Sequence, residues 1–569
     1  MAITQAWNRS RLYAAIAVTF AFLVALYAQI AVVSNPYLVN DDVCQHIWWM
    51  RIFREPGLFQ NDLLARYALG LQHFGLLGFY RIAANWIDPV ALTLALPLIL
   101  LPLTCYCAFR IVHHISGDYR IALFAAATLA VTKIYLQHMT GGQAHSFGYP
   151  LLAAFLLCFL KRRWTRAALA LALASIVFPV VFALGSLTWL IVFVSYGNSA
   201  VTWPSKPDGG GRSLAAALVF GAAMLLAKFV LFSDPLIGNP LTRSAVEHMP
   251  ELTAAGRWQV WPVENIAAAS LKFLEEGAFI FRSLWKSPLP DAVKSAVLGT
   301  HVLVGVLFLL ALVWWFRRRR EYLRRIILPA LAASVAFYFL SSAALLKLYA
   351  PDRYLSYALP LLMLIATAVF VGDVVNGLSR PATRNLAWGC LALMVLSAVP
   401  LVKNAGLQDY SAQRELYEYL AQLPRDVVIA APPELADGIP LFSKRTVFLN
   451  RELSVPLYDR YWQTITERTQ AFFKAYYAQD LRDVRAFMTQ NGITHLVLDR
   501  TEFSREKIAA GAYFEPFASG IRRETAGRKS FALETAPEDI CNFRRGPVCV
   551  IDRAGLDMIL RETHSSTKE

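Results

Sequence analysis

Two adjacent aspartates, Asp41 and Asp42, follow the first long apolar segment of the chain by only a few residues. Gln45 and His46 come soon after them, so two carboxylates, an amide and an imidazole occur within a short stretch. Such a carboxylate can accept a proton from an attacking hydroxyl group, and a pair can also hold a divalent cation. Charged side chains are costly beside a hydrocarbon layer, so the pair indicates a functional site.

The segment before the pair, from about Tyr13 to Val33, carries no charge and is long enough to cross a bilayer as one helix. Arg9 and Arg11 precede it, which predicts that it starts in the cytoplasm. A cleaved signal peptide would have a shorter apolar region and a clearer cleavage site than "AVVSN". We therefore expect the acidic pair on the outer face of the membrane.

The composition is that of an integral membrane protein. Of 569 residues, 56% are hydrophobic and 17% charged, against roughly 25% charged in soluble domains. The net charge of +15 does not indicate nucleic acid, because most basic clusters lie in short loops between apolar segments. These clusters, which begin at Arg110, Lys161, Lys206, Arg317 and Arg380, all fall on one predicted side. We count about eleven spans in residues 1–403, with outer-face loops at 34–88, 134–148, 233–297 and 346–353.

One apolar stretch, Ala167 to Val194, is too long for one ordinary span and too short for two, and Pro179 lies near its middle. Two short helices that meet at the proline would preserve the alternation of loop charges. A single kinked helix is the alternative and would invert every later loop. The arginine run that begins at Arg317 favours the broken pair.

The polar remainder, residues 404–569, is predicted to be an outer α/β domain. "DVVIAAP", "RTVFLN" and "THLVLD" are typical of buried strands, and helices are expected within Ser411–Leu423 and Tyr458–Gln490. "GRKSFALETA" and "CNFRRGPVCVID" are expected to form strands and turns. Cys541 and Cys549 flank a predicted hairpin tip, and an oxidising outer face favours a disulfide between them. The alternative is two buried thiols.

The motifs of several soluble enzyme classes are missing from the sequence. It contains no phosphate loop, dinucleotide fingerprint, HExxH motif or nucleophile elbow. Polar residues instead gather at the predicted outer boundary, where acids, bases and cations together indicate a site. They are Asp41, Asp42, Gln45, His46, Arg51, Gln137, His138, Gln143, His145, Ser146, Arg243, Glu247, His248, Lys347, Asp352 and Arg353.

Some of these residues also have structural interpretations. Asp42 and Gln45 fit a capping box that opens an interfacial helix, which would leave Asp41 free. Trp48 and Trp49 are more typical of interfacial anchors than of sugar platforms.

The remaining alternatives concern three single side chains. His46 and His145 fit either a hydrogen-bonded structural histidine or a substrate contact. Arg353 fits either a snorkelling residue or a cation at a helix mouth that meets a lipid phosphate.

Three stretches carry a family resemblance: "DDVCQHIWWMRIFREPGLFQNDLLARY", "GGQAHSFGYP" and "LYAPDRYLSYALP". An acidic pair in the first outer loop, an interfacial helix after it, many spans and a terminal outer α/β domain resemble the GT-C class of membrane glycosyltransferases. The chain departs from the class pattern in having Asp as its second acid. It also lacks the WWDYG signature of oligosaccharyltransferases, which argues against protein N-glycosylation.

The resemblance implies transfer of a sugar from a polyprenyl-phosphate donor to an envelope glycan, lipid or protein acceptor, usually with inversion. It implies that one acid of the pair, Asp41 before Asp42, is the general base, and that a cation stabilises the departing phosphate. Arg353 is the first choice for that cation, followed by Arg243 and Lys347. The expected substrate contacts are Gln45, His46, Gln143 and His145.

A resident cofactor is not implied with certainty. Mg²⁺ or Mn²⁺ held by Asp41 or Asp42 with His145 is an alternative, but the ligand set is incomplete in the sequence. The expected location is a bacterial inner membrane, with the amino terminus cytoplasmic and the carboxyl terminus periplasmic. Membrane lipids are expected partners, and nucleic acid is not.

The terminal domain would then bind or orient the acceptor, with Glu434, Asp437, Lys444 and Arg445 near strand ends, although solvated loop charge is the stronger interpretation. A transporter or flippase is the competing class, but it should show ionisable residues at mid-span. A non-catalytic scaffold is the third interpretation.

Overall fold

The computed structural model describes residues 2–197, 210–231, 234–253, 255–258, 306–344, 348 and 350–566. Within these ranges, six helices are long and apolar enough to cross a membrane, or seven if a bent pair forms one span. The six are Arg9–Ser34, Pro89–Ser116, Gly210–Lys228, Arg320–Ala344, Asp352–Asn376 and Pro381–Val402. The bent pair, Tyr119–Val131 and Lys133–Met139, turns by 61°. The chain is thus a polytopic membrane protein.

Shorter apolar helices complete the membrane part. They are Phe74–Ala83, Ala144–Leu160, Trp164–Val177 and Pro179–Ser195. Small residues on the first helix, including Ala17, Ala21 and Ala25, are buried and let Pro97–Ser116 and Tyr119–Val131 approach it closely. The count of eleven spans stays a prediction.

The stretch around Pro179 is two helices. The helix Trp164–Val177 ends at Phe178, whose extended backbone (φ −145°, ψ 87°) breaks the hydrogen-bond ladder before Pro179. The two segments fold back on each other, because the Trp164 and Trp189 rings stack with centroids 5.6 Å apart. The broken pair expected from the loop charges is therefore correct, and the single kinked helix is wrong.

A short π-helical turn, Val43–Ile47, and a 3₁₀ helix, Trp48–Phe53, follow the acidic pair. Trp48 and Trp49 are 0% and 1% exposed. The Trp48 ring meets Phe59 edge-on at 4.5 Å. The expectation that these tryptophans anchor the chain at the lipid interface is wrong, because both side chains are buried inside the protein.

The carboxyl-terminal part contains a five-stranded sheet. Its strands are β3 (Val428–Ala430), β4 (Thr446–Val447), β5 (His495–Asp499), β6 (Phe543–Arg545) and β7 (Val548–Asp552). Their order is β4-β3-β5-β7-β6; β3 is parallel to β4 and β5, and β7 is antiparallel to β5 and β6. A second hydrophobic core lies on this sheet.

Helices flank the sheet much as the sequence predicts. They include Arg414–Gln422, Asp459–Tyr476, Leu481–Gln490 and Phe517–Thr525. The segment "GRKSFALETA" forms turns and irregular backbone, so the strand expected there is wrong. Cys541 and Cys549 are joined by a disulfide that links the approach to β6 with β7.

Two further strands join the distant ends of the membrane part. β1 (Leu38–Val39) lies just before the acidic pair, and β2 (Gln408–Asp409) lies just after the last apolar helix. They pair antiparallel, Leu38 with Asp409 and Val39 with Gln408. This pairing fixes the loop after the first apolar helix against the start of the carboxyl-terminal part.

Residues 234–253 and 255–258 pack against the carboxyl-terminal part through backbone contacts. Leu241 N–H donates to the Leu457 carbonyl, and Tyr461 N–H donates to the Ile237 carbonyl, each at 3.0 Å. Arg257, near the end of this segment, forms an ion pair of 3.2 Å with Glu452.

Candidate active site

The acidic pair lies between β1 and the π-helical turn. Asn40 orients it: the Asn40 side-chain oxygen accepts from the Asp42 N–H at 3.0 Å, and its amide donates to the Gly406 carbonyl at 2.7 Å. Asp42 makes no side-chain cap to the helix that follows it. Gln45 donates instead to the Glu452 carbonyl at 2.8 Å. The capping box predicted from the sequence is therefore wrong. The Asp42 N–H is bound by Asn40, and the Asp42 carboxylate remains available to other partners.

Two glycines allow the neighbouring turn to approach Asn40 closely. Gly141 and Gly142 have φ of +93° and +67°, values that favour glycine. A Cβ on Gly141 would collide with the Asn40 side chain, and one on Gly142 with the Tyr80 hydroxyl. The turn thereby brings Gln143 and His145 against the acidic pair.

Asp42 faces polar and cationic neighbours. Its carboxylate is 3.5 Å from Nε2 of His145, and the Gln143 amide donates a hydrogen bond to it. Burial alone would raise the pKa of Asp42, but His145, His46, Gln143 and Arg353 together reverse that effect and lower it. Asp42 is therefore ionised at neutral pH.

Asp41 has a different environment. Burial, the neighbouring charge of Asp42 and the carboxylate of Glu452 raise its pKa to about 6. The Asp42 N–H also donates to an Asp41 carboxylate oxygen at 3.1 Å. A carboxylate with a pKa near neutrality is suited to proton transfer at physiological pH, because it is mostly ionised and still holds a proton well.

Both aspartates open into one polar cleft of about 460 Å³. Its lining joins the loop after the first apolar helix, the bent helix, the glycine turn, the start of the helix at Asp352 and the segment after the last apolar helix. The lining residues are Asn40, Asp41, Asp42, Lys133, Gln137, His138, His145, Arg353, Asn404, Gly406, Leu407 and Gln408. Two cations, Lys133 and Arg353, thus lie in the same cleft as two carboxylates.

Sequence reasoning missed some of these residues. Lys133 is the single charged residue between Ile121 and Tyr135, and this isolated cation could have been noticed in the sequence. Asn404 and Gln408 come to the cleft only through the β1–β2 pairing, and nothing in the local sequence indicates that.

Other predicted residues have different roles. Gln45 binds the backbone of the carboxyl-terminal part, and Arg51 pairs with Asp88 at 3.1 Å. His46 lies near the charge of Asp42, and its Nδ1 is 3.4 Å from Nε2 of Gln72. Burial lowers the pKa of His46. The amide of Gln45 donates to the Glu452 carbonyl, and a contact of Gln45 with substrate stays a prediction.

The two secondary choices for a phosphate-binding cation are not placed. Lys347 lies outside the described residues. Arg243 starts a short helix, Arg243–Val246, but its side chain is not among those described.

The charged residues proposed near the strand ends have structural roles. Arg445 donates to the Leu423 and Ala421 carbonyls and is buried. Lys444 and Arg425 pair with Glu55 of the loop after the first apolar helix, at 2.5 and 3.0 Å. Asp437 accepts from the Glu452 N–H at 2.8 Å. The pairs with Glu55 join the two parts of the chain. Asp437 and Arg445 are buried, so the interpretation of these two residues as solvated loop charge is wrong.

The described residues contain no group of three or more His, Cys, Asp or Glu side chains that could hold a metal ion. Asp42 and His145 by themselves give two donors, too few for the six oxygen-rich ligands of Mg²⁺. The described part of the chain therefore does not supply a full set of ligands for Mg²⁺.

No protein-family model and no curated protein matches this chain. Solved structures do. The oligosaccharyltransferase AglB from Archaeoglobus fulgidus, in complex with an inhibitory peptide and a dolichol-phosphate, superimposes with a TM-score of 0.52 at 14% identity, over 90% of this chain and 72% of that one. Its apo form gives 0.52 at 12% identity, over 89% and 72%. The chain has the GT-C fold.

ArnT from Cupriavidus metallidurans in the apo state, another GT-C protein, gives a lower TM-score of 0.41 at 14% identity, over 87% of this chain and 93% of that one. The GT-C fold and the carboxyl-terminal sheet predicted from the sequence are confirmed. At these identities the likeness is one of fold.

Proposed function

We propose that this chain is a membrane glycosyltransferase that moves a sugar from a polyprenyl-phosphate donor to an acceptor hydroxyl. The observation that carries the proposal is the cleft itself, where two carboxylates and two cations face one space of about 460 Å³ at the end of several apolar helices. A proton acceptor and a phosphate-binding group are the two functions that this reaction needs from a protein. AglB, which has the same fold, was solved with a dolichol-phosphate.

Asp41 is the proposed general base. It takes the proton of the acceptor hydroxyl, whose oxygen forms the new bond to the anomeric carbon as the bond from that carbon to the phosphate oxygen breaks. A single displacement of this kind inverts the anomeric centre. Asp42, held ionised by its neighbours, keeps Arg353 and His145 in place.

Arg353 and Lys133 are proposed to bind the phosphate of the donor. The leaving group is a phosphate that gains negative charge as the bond breaks, so cations fixed at that point stabilise the transition state. Arg353 lies at the start of the apolar helix Asp352–Asn376, where the polar head of a lipid-linked donor would meet the protein while its chain stays in the bilayer. Lys133, at the bend of the helix pair, was not expected from the sequence.

The acceptor is proposed to be a glycan, lipid or protein of a bacterial envelope, on the outer face of the inner membrane. The outer segment 234–258 and the carboxyl-terminal part flank the first outer loop. They are the surfaces from which such an acceptor would reach Asp41.

The test is transfer by the purified full-length chain with a radiolabelled polyprenyl-phosphate sugar and envelope glycans as acceptors. Asp41→Asn should reduce transfer by at least about a hundredfold, because a general base commonly contributes 10²–10⁴-fold. Asp118→Asn is the matched control. Asp118 caps the helix Tyr119–Val131 at the end away from Lys133 and lies outside the cleft lining, and asparagine can also cap a helix, so transfer should stay unchanged.

Two outcomes would contradict the proposal. If Asp41→Asn transfers sugar at the wild-type rate, Asp41 is not the general base. Binding of the lipid-linked sugar without any transfer, but with movement across a vesicle membrane, would favour a flippase.

A further inference from the structure

His138 lines the cleft beside Arg353 and the acidic pair, and the proposed proton and phosphate chemistry gives it no role. Its Nδ1 lies 2.8 Å from the Ile134 carbonyl oxygen, one turn earlier in the same helix. A carbonyl oxygen only accepts hydrogen bonds, so Nδ1 carries the proton. The ring therefore has one defined tautomer.

The ring is also fixed in place. It meets Tyr149, Tyr357 and His145 edge-on, with centroids 5.7, 5.4 and 6.0 Å away. Tyr149 is itself held through its hydroxyl, which donates to the Ser356 carbonyl at 2.6 Å. This packing leaves Nε2 as the polar atom that the ring offers to a molecule in the cleft.

Charge determines what Nε2 can do. The guanidinium of Arg353 lines the same cleft, and its positive charge opposes a second proton on the ring. A neutral ring with its proton on Nδ1 presents a lone pair at Nε2, so it accepts hydrogen bonds and does not donate them. Phosphate oxygens are acceptors too, so this nitrogen disfavours the phosphate and favours a hydroxyl or amide N–H.

We propose that His138 is a specificity-determining residue that accepts a hydrogen bond from a hydroxyl or N–H group of the transferred sugar. The inference rests on the proposed function, because it assumes that the cleft holds the donor. The cleft then has two ends: Lys133 and Arg353 bind the phosphate, and His138 recognises the sugar attached to it. A site that hydrogen-bonds a sugar hydroxyl rejects a sugar that lacks it, because the lone pair would stay unpaired.

The experiment measures binding to the full-length chain in lipid nanodiscs. The probes are undecaprenyl phosphate and undecaprenyl-phosphate-linked glucose, galactose, mannose and N-acetylglucosamine. In the wild type we expect at least one sugar-bearing lipid to bind more tightly than undecaprenyl phosphate. His138→Phe keeps an aromatic ring against Tyr149 and Tyr357 but removes the acceptor, so it should abolish most of that difference, a loss of about five- to tenfold.

Two controls separate recognition from structure. His138→Phe should bind undecaprenyl phosphate as the wild type does, and His138→Gln, whose amide oxygen can accept, should restore part of the preference for sugar. Arg353→Gln should weaken every probe, sugar-bearing or not. If His138→Phe retains the full preference for the sugar, the inference is wrong.

A series of deoxy-sugar lipids on the wild type does not depend on any variant folding. The lipid whose sugar lacks the hydroxyl that His138 binds should bind no more tightly than undecaprenyl phosphate. His138→Gln should still bind this deoxy-sugar lipid more weakly than the lipid with the intact sugar. Equal affinity across the series would overturn the role of His138. Failure of undecaprenyl phosphate and of every sugar-bearing lipid to bind would instead overturn the proposed function.

Discussion

Two chemically identical side chains in one cleft differ in their proton affinity, and the difference comes from their neighbours. Asp42 faces His145, Gln143 and Arg353, and its pKa is lowered; Asp41 faces Asp42 and Glu452, and its pKa is raised to about 6. Pairs whose pKa values are separated in this way commonly divide acid–base roles between them. The family resemblance and a capping role for Asp42 both favoured Asp41 as the base; the capping role is wrong, and the raised pKa of Asp41 supports the choice instead.

The first prediction is a pH dependence. A base must be deprotonated to act, so the rate of transfer should rise with pH through about 6 and level off above it. At pH 5 the rate should be roughly tenfold below the plateau, since about a tenth of a carboxyl with that pKa is ionised. The measurement is transfer at subsaturating acceptor from pH 4.5 to 8.5.

Glu452→Gln provides a specific check, because loss of its charge should move the midpoint to lower pH. Glu434→Gln removes a more exposed carboxylate, paired with Arg451, and should leave the midpoint unchanged. A rate that is flat down to pH 4.5 would contradict Asp41 as the titrating base.

The second prediction concerns stability and has opposite signs for the two acids. The raised pKa of Asp41 means that its charged form is disfavoured in the folded state; this destabilisation grows as pH rises from 3.8 through about 6 and is complete above it. At pH 7.5, Asp41→Asn should therefore raise the free energy of unfolding, by on the order of 1–2 kcal/mol. Asp42→Asn should lower it, because Asp42 is stabilised as an anion.

Thermal denaturation of both variants in the same detergent measures the effect. A raised thermal midpoint for Asp41→Asn together with lost transfer would show that transfer is lost because the base is missing, and not because the variant unfolds. A lowered midpoint for Asp41→Asn would contradict the assigned environment.

Among the elements, the β1–β2 pair and the glycine turn position the acids, and Asn40 connects the two. Asn40→Ala removes two hydrogen bonds of a side chain that is 6% exposed, one to the Asp42 N–H and one to the Gly406 carbonyl. We expect the free energy of unfolding to fall by about 2–3 kcal/mol. Transfer should also fall, because the acids lose their support.

Asn85→Ala is the matched control for that variant. Asn85 is exposed, and its amide donates to the Ile82 carbonyl at 2.9 Å. Its replacement should change stability by less than about 0.5 kcal/mol. A thermal midpoint and a transfer rate that both stay unchanged in Asn40→Ala would show that other contacts position the pair.

Long elements, and breaks marked by a local residue such as proline, could be predicted from the sequence. Contacts between distant parts of the chain could not. The break at Pro179 and strands β3, β5 and β7 follow from proline chemistry and apolar runs. β1 and β2 are only two residues each and about 370 residues apart, so no local pattern indicates them. The cleft depends on that pairing, which is why Asn404 and Gln408 were missed.

In the whole molecule, the β1–β2 pair also constrains the membrane topology. β1 follows the first apolar helix, Arg9–Ser34, and β2 follows the last, Pro381–Val402. Because the strands are hydrogen-bonded to each other, both helices end on the same side of the membrane. The chain therefore crosses an even number of times between residues 40 and 404, and the total is odd, as an estimate of about eleven would require.

The last prediction tests which side that is. Single cysteines at Ser530 in the carboxyl-terminal part and at Ser379, in the loop before Pro381–Val402, lie at exposed positions on opposite ends of that helix. In spheroplasts that express a variant with the exposed Cys390 and the half-buried Cys158 replaced by Ser, a membrane-impermeant maleimide should label Ser530→Cys directly. It should label Ser379→Cys only after permeabilisation, because Arg380 and Arg384 mark that loop as cytoplasmic.

The reverse pattern would put the cleft in the cytoplasm, where a nucleotide-linked donor would replace the lipid-linked one. Labelling of both cysteines from outside would contradict the crossing by Pro381–Val402, and with it the parity that the β1–β2 pair imposes.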